Sequence, residues 1–339
     1  MPKISVVLTV RNGLPWLPEA VNSILDQSFK DFELIVLDNA SSDDSLVWLQ
    51  AQRDRRLRVV PNGQDLGIAG SRNKGLELAR APYVAVMDAD DYAMPERLAV
   101  QYAFMESHPE VTVCGGALSI YDAPDVIWLP PVEHEAIRAQ LLFASCIYNP
   151  TVMYKKEQIC VYAGGYDASM PPTEDYDLWA RLSMNPDARF ANLPIILCRY
   201  RTYDTRQEYG ELKYRKANLV REKLLHHIGL TPTDKEFAAH LALSLWSTTL
   251  SFSDIWACRK WLSKLYVAAL NADPAYDREA LRHELQYRWR KLCAMNFAAS
   301  AFGLMYFCSE FAEFSSKRIF MFIKSVLQKN LKNLCGKAA

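Results

Sequence analysis

The chain has 339 residues, 50% hydrophobic and 23% charged, an ordinary globular composition with enough length to bury a substantial core as one large domain or two. Eight scattered cysteines show neither Cys-x-x-Cys nor paired Cys/His spacing, which excludes a zinc site of the usual pattern and leaves reduced, mostly buried cytosolic thiols as the expectation. Basic and acidic residues balance at 39 each, but residues 1–204 carry 18 basic against 27 acidic side chains and residues 205–339 carry 21 against 12, so the second region suits an anionic partner.

No stretch reaches the roughly 18 uninterrupted apolar residues of a membrane-spanning helix. The longest candidate, Phe297 to Cys308, is too short. Because Lys3-Ile4-Ser5 leads straight into a strand, no secretory signal is expected.

Ile4 to Thr9 and Phe32 to Leu37 read as strands from their β-branched content and length, with a helix over Leu17 to Gln27 between them. Leu57 to Val60 and Tyr83 to Met87 continue the strands, with helices near 43–51 and 68–79. This βαβα order predicts a parallel sheet with crossover helices, in which ligands gather at the carboxyl ends of the strands. The polar clusters fall where that rule puts them. Thr9-Val10-Arg11-Asn12-Gly13 follows the first strand, Asp38-Asn39-Ala40-Ser41-Ser42-Asp43 the second and Asp88-Ala89-Asp90-Asp91 the fourth. Three such clusters on one edge predict a binding cleft, with Ser41, Ser42 and Asp43 read as helix caps.

An apolar strand that ends in three carboxylates within four positions concentrates negative charge, which costs stability unless a cation neutralises it. One reading is a divalent metal carrying a phosphorylated substrate, since Mg²⁺ and Mn²⁺ are commonly held by one or two carboxylates while phosphates complete the shell. The other is an acidic turn that caps the following helix.

Val111 to Tyr121 is a further strand candidate, and Thr173 to Leu182 reads as a helix whose apolar face holds Leu178, Trp179 and Leu182. Its first turn carries Glu174, Asp175 and Asp177, more acid than the helix dipole and capping require. From about residue 209 strand patterns vanish and helical ones take over, which predicts an α/β domain over 1–205 and a helical domain over 206–339. Residues 317–339 contain no acid, and their apolar positions 320, 323, 327, 331 and 334 have helical spacing with Lys324, Gln328, Lys329 and Lys332 largely off the stripe. That pattern fits a helix on an anionic membrane surface, or a packed helix with a solvated basic face. The aromatic-rich stretch Phe297 to Phe314 fits a homodimer interface instead.

Taken in order, the segments from Lys3 to about Arg201 resemble the family-2 glycosyltransferases, inverting enzymes of the GT-A fold that use nucleotide-diphosphate sugars. The resemblance is carried by the 9–13 and 31–38 segments, Gly67-Ile68-Ala69-Gly70-Ser71-Arg72-Asn73-Lys74-Gly75, the Asp88–Asp91 cluster and Glu174-Asp175-Tyr176-Asp177-Leu178-Trp179. It implies a GT-A type, Rossmann-like, mostly parallel sheet flanked by helices. Thr9, Val10, Arg11 and Asn12 would line the nucleoside pocket, with Asp38 accepting from the base, typically uracil, beside Asn39. Gly67 and Arg72 would lie against the donor, Arg72 reaching the base or the diphosphate. Asp88 and Ala89 would sit near the ribose, and Asp90 with Asp88 would hold Mn²⁺ or Mg²⁺, supported by Asp91. Asp175 would be the general base, with Glu174 as the fallback.

Arg11 stands where an aromatic residue often does, Asn39 replaces a second acid, and Tyr203 occupies a place where relatives frequently carry His, which leaves a third metal ligand open. The implied activity is transfer of a sugar, hexosyl-type, from a nucleotide-diphosphate donor such as a UDP-sugar to a saccharide or lipid-linked saccharide in bacterial-type surface polysaccharide synthesis. The implied place is the cytoplasm or the cytoplasmic face of the inner membrane, with no nucleic-acid partner. A catalytically inactive nucleotide-sugar-binding or scaffolding protein of the same fold is the alternative.

Overall fold

The computed structural model describes residues 1–202 and 206–296 of the chain. Packing divides the described residues into two compact units, one within 1–229 together with 272–276 and one of residues 230–271 with 277–296.

In the first unit, β1 (Ile4–Val10), β2 (Phe32–Asp38), β3 (Leu57–Pro61) and β4 (Tyr83–Asp88) pair in parallel in the order β3-β2-β1-β4. Helices α1 (Leu17–Leu25), α2 (Ser45–Ala51) and α3 (Gly67–Leu78) make the crossovers. β1 and β2 are buried almost throughout, which is why they read as near-continuous apolar runs rather than alternating ones, with the buried Ser5 donating to Glu33 at 2.7 Å. The core formed by Ile4, Val6, Leu8, Leu34, Val36, Ala85 and Met87 extends under α1 through Leu17, Val21 and Ile24.

The sheet continues with mixed pairing. β5 (Tyr92–Ala93), β6 (Val113–Ile120), β7 (Ala123–Trp128), β8 (Met153–Lys155) and β9 (Phe190–Tyr200) extend it past β4 in the order β8-β6-β9-β5, with β7 an antiparallel hairpin partner of β6. The chain also forms α4 (Arg97–Ser107), α5 (His134–Leu141), α6 (Lys156–Ala163), α7 (Glu174–Ser183) and α8 (Arg206–His227). The α/β architecture and the helical region after it are therefore present. The expected domain division at 205/206 follows the end of the sheet, whereas by packing α8 stays with the first unit.

Helices α9 (Asp234–Leu245), α10 (Phe252–Leu270) and α11 (Arg278–Met295) form the described part of the second unit. Thr233 with Glu236 and Ser251 with Asp254 are capping boxes, each satisfying amides that the first turn leaves open. Leu243, Ile255, Trp261, Leu262, Leu281, Leu285 and Leu292 are buried, and the Trp261 indole donates to His240 Nδ1 at 3.1 Å.

Among the described residues no helix is long and apolar enough to cross a membrane, and no disulfide joins the six cysteines, five of which are buried while Cys160 is exposed. The stretches 297–314 and 317–339, and Tyr203, lie outside the described residues.

Candidate active site

The parallel register sets the site. Thr9 is level with Asp88 across β1 and β4, and Val10 is level with Asp38 across β1 and β2, so the three polar clusters meet at one edge. A cavity of about 760 Å³ opens there, lined by Thr9, Val10, Arg11, Asn12, Asn39, Gly67, Asp88, Ala89 and Asp90 among the residues expected from the sequence. Trp16, Asp65, Ser71, Pro171, Pro172 and Tyr200 complete much of the wall.

The loop after β1 is held from the loop after β2. Asn12 takes a left-handed conformation, φ 54°, and its Oδ1 accepts the Ser42 amide at 2.8 Å, while its own amide donates to Ser41 Oγ at 2.9 Å. The amide of Gly13 donates to Ser45 Oγ at 2.9 Å. The capping expected of Ser41 and Ser42 is thus replaced by loop-to-loop bonds. Only Asp43 serves the helix start, accepting the Ser45 amide at 3.0 Å. Helix α2 begins at Ser45 with Asp44 at its N-cap, two and three positions past Ser42 and Ser41.

Asn39 and Asp65 order the far wall. Asp65 accepts from Asn39 Nδ2 at 2.6 Å and from the Gly67 amide at 2.8 Å, and it pairs with Arg11. Gly67 opens α3 at φ +68°, a backbone that a side chain would strain. Asp38 lies behind this wall, 2% exposed, with Oδ2 accepting the Ser41 amide at 3.3 Å and Oδ1 buried without a partner among the described residues.

Arg72 is not on the cavity wall. Its guanidinium is buried and joins Asp88, at 2.8 Å, to Glu174 at the first turn of α7, 102 positions away in sequence. The Tyr166 ring stands 5.6 Å from its Cζ. Burial alone would lower the pKa of this guanidinium, but the charges of Asp88 and Glu174 more than offset that and hold it well above its usual value. The group expected at the base or diphosphate is in this structure a bridge between strand end and acidic helix.

The three acids that open α7 have separate fates. Glu174 is buried against Arg72. Asp177 is fully buried and pairs with Arg181 at 2.8 Å and Lys223 at 2.6 Å. Among the described residues Asp175 makes no ion pair. Burial, and then the neighbouring Glu174 charge, push its carboxyl up to about 6 against the opposing pull of Arg72.

At the end of β4, burial and then the Asp88 charge raise Asp90 to about 6. Asp91 is raised by burial and by both neighbouring acids, its Oδ1 accepting the Arg201 amide at 2.9 Å while Oδ2 is buried without a partner among the described residues. The Arg201 guanidinium pairs with Glu19 and lies 4.2 Å from the Trp16 ring centroid and 3.5 Å from that of Tyr121. Such under-compensated carboxylates fit a hard cation. Among the described residues no three His, Cys, Asp or Glu side chains gather around one point, so these acids by themselves do not complete a metal site.

Sequence reading did not identify Trp16, Asp65, Tyr200 or Arg201 as site residues. Asp65 was within reach, because Asn62-Gly63-Gln64-Asp65 is a turn signal directly before the Gly67 helix start. For Trp16 and Arg201, which meet 185 positions apart, no local signal exists.

A sheet with acidic strand ends at β2 and β4, followed by an acid-opened helix, is shared with known glycosyltransferases of the GT-A type. The model of glycosyl transferase family 2 matches residues 5–162. The chain is 30% identical over 221 residues to the O-antigen biosynthesis glycosyltransferase WbnJ of Escherichia coli, covering 62% of this chain and 84% of that one. It is 28% identical over 244 residues to an uncharacterized glycosyltransferase of Haemophilus influenzae, covering 67% and 75%. Among solved structures, S. aureus TarS 1–349 in complex with UDP-GlcNAc shares the fold, with a TM-score of 0.51 and 17% identity over 88% of this chain and 74% of that one. The chain belongs to glycosyl transferase family 2 and is a glycosyltransferase.

Proposed function

We propose that the protein transfers a sugar from a uridine-diphosphate donor, with inversion, to a saccharide or lipid-linked saccharide in the synthesis of a surface polysaccharide. The observation that carries this reading is the division of labour in α7. Glu174 and Asp177 are committed to ion pairs, while Asp175 makes none among the described residues, and its pKa of about 6 suits a general base near neutrality.

In this reading the nucleoside lies along Thr9, Val10 and Arg11 of the cavity wall, with Asp38 buried behind it. A uridine donor agrees with the UDP-GlcNAc bound by TarS, and a polysaccharide product with the O-antigen assignment of WbnJ. Asp90 and Asp88 would hold Mn²⁺ or Mg²⁺ together with diphosphate oxygens. That ion would supply a Lewis acid for the charge that builds on the leaving diphosphate. Arg72 keeps Asp88 and Glu174 in place from beneath. On the far side of the sugar Asp175 takes the proton of the acceptor hydroxyl, so a single displacement inverts the anomeric centre.

Asp175→Asn tests this assignment. Turnover should fall by about two orders of magnitude or more while UDP affinity stays within twofold. Turnover near wild type in that variant would refute the role of Asp175.

A further inference from the structure

The donor cavity does not end at the acids. Tyr200, on its wall, continues into an aromatic group on the β6–β7 side of the sheet. The Trp128 ring lies 5.9 Å from Tyr200 and 6.0 Å from Tyr148, with interplanar angles of 40° and 56°. Tyr148, Tyr200 and Ala123 pack on a small buried cluster of Leu118, Ile120 and Cys198, which gives the rings a rigid floor. Trp128 closes β7 with 42% of its surface exposed, an unusual place for a large ring unless something covers it.

We propose that Trp128, with Tyr148 and Tyr200, forms the platform on which a saccharide acceptor stacks. The proposal rests on the glycosyltransferase reading above and deepens it by assigning the acceptor subsite. Three observations select a sugar as the occupant. The platform is continuous with the donor cavity through Tyr200, so a molecule lying on it reaches the reacting edge. Tyr200 also shares the cavity wall with Asp88 and Asp90 and follows Arg199, which is level with Tyr92 directly after the acids, so the platform borders the strand-end acids. Finally, the rings pair an apolar face with polar rims, and a pyranose offers the complement: an axial C–H face for the electron-rich ring and hydroxyls at its edge.

Trp128 and Ile127 separate the proposal from a general weakening of the hairpin. Both are exposed on β7, at 42% and 44%, but they lie on opposite faces of the strand. Wild-type full chain and the variants Trp128→Ala, Trp128→Phe and Ile127→Ser would be titrated with a panel of methyl hexosides, including glucosides, galactosides and N-acetylglucosaminides. Binding would be followed by saturation-transfer NMR, with and without UDP and Mn²⁺. UDP binding would be measured separately on each protein.

The expected result is that at least one methyl hexoside binds wild type, that Trp128→Ala weakens it about tenfold, and that Trp128→Phe retains most of the affinity. Ile127→Ser and UDP affinity should be unchanged. The proposal is overturned if no hexoside binds wild type, if Trp128→Ala binds as wild type does, if Ile127→Ser weakens binding equally, or if Trp128→Ala also loses UDP. Failure of wild type to bind UDP would count against the donor reading alone, because the hexoside titration without UDP still decides the platform.

Discussion

Arg72 is the residue on which two halves of the site depend. Its partners Asp88 and Glu174 sit on a strand end and a helix start that nothing in the local sequence joins. Removing the guanidinium by Arg72→Met would leave two carboxylates facing each other with little water, at a cost of about 3–5 kcal/mol. Urea denaturation of the variant measures this, and the double variant Arg72→Met with Glu174→Met should recover part of the loss. An unchanged midpoint in the single variant would mean the bridge is idle.

Asp175 makes a second demand at this scale. Its folded pKa is raised to about 6, and a general base works only when ionised. The rate should therefore be flat above that value and decline about tenfold per pH unit below it, read from kcat/KM at saturating metal. The two acids were legible in the sequence as members of a pair. Their separation into a bridged Glu174 and an unbridged Asp175 was not, because it depends on an arginine 102 positions earlier.

Among the elements, the parallel strands were the most readable. β1, β2 and β4 are buried on both faces, and burial of that kind writes itself as a near-continuous apolar run, interrupted inside the strands by the buried Ser5 and Glu33. The register that levels Thr9 with Asp88 and Val10 with Asp38 then follows from strand ends rather than from any contact. The short β5, two residues long and paired with β9, carries no period to detect.

Helix α3 shows the same logic in packing. A Cβ on Gly75 would collide with Val7 Cγ1 and lie 3.3 Å from Leu37 Cδ2, so glycine there sets the approach of α3 to β1 and β2. Gly75→Ala should destabilise the fold by about 1–3 kcal/mol, seen as a lower urea midpoint with an unchanged slope. Its helical φ makes this a test of close approach and not of backbone freedom.

For the molecule as a whole, the charge asymmetry of the sequence maps onto function unevenly. The acid-rich first unit contains every residue of the candidate site, and its carboxylates explain themselves through Arg72, Arg181, Lys223 and the edge left for a cation. The basic stripe of 317–339 lies outside the described residues, so the membrane and dimer readings stay with the sequence pattern.

The central claim is that the edge formed by β1, β2 and β4 binds a nucleoside diphosphate through a divalent ion on Asp88 and Asp90. Calorimetric titration of UDP in the presence of Mn²⁺ or Mg²⁺ tests it most directly, on wild type, Asp90→Asn and Asp175→Asn. The account predicts saturable binding by wild type that is lost on adding EDTA, is weakened about tenfold or more in Asp90→Asn, and is unchanged in Asp175→Asn. Binding that ignores both EDTA and the Asp90 substitution, or no binding of UDP by wild type, would contradict it.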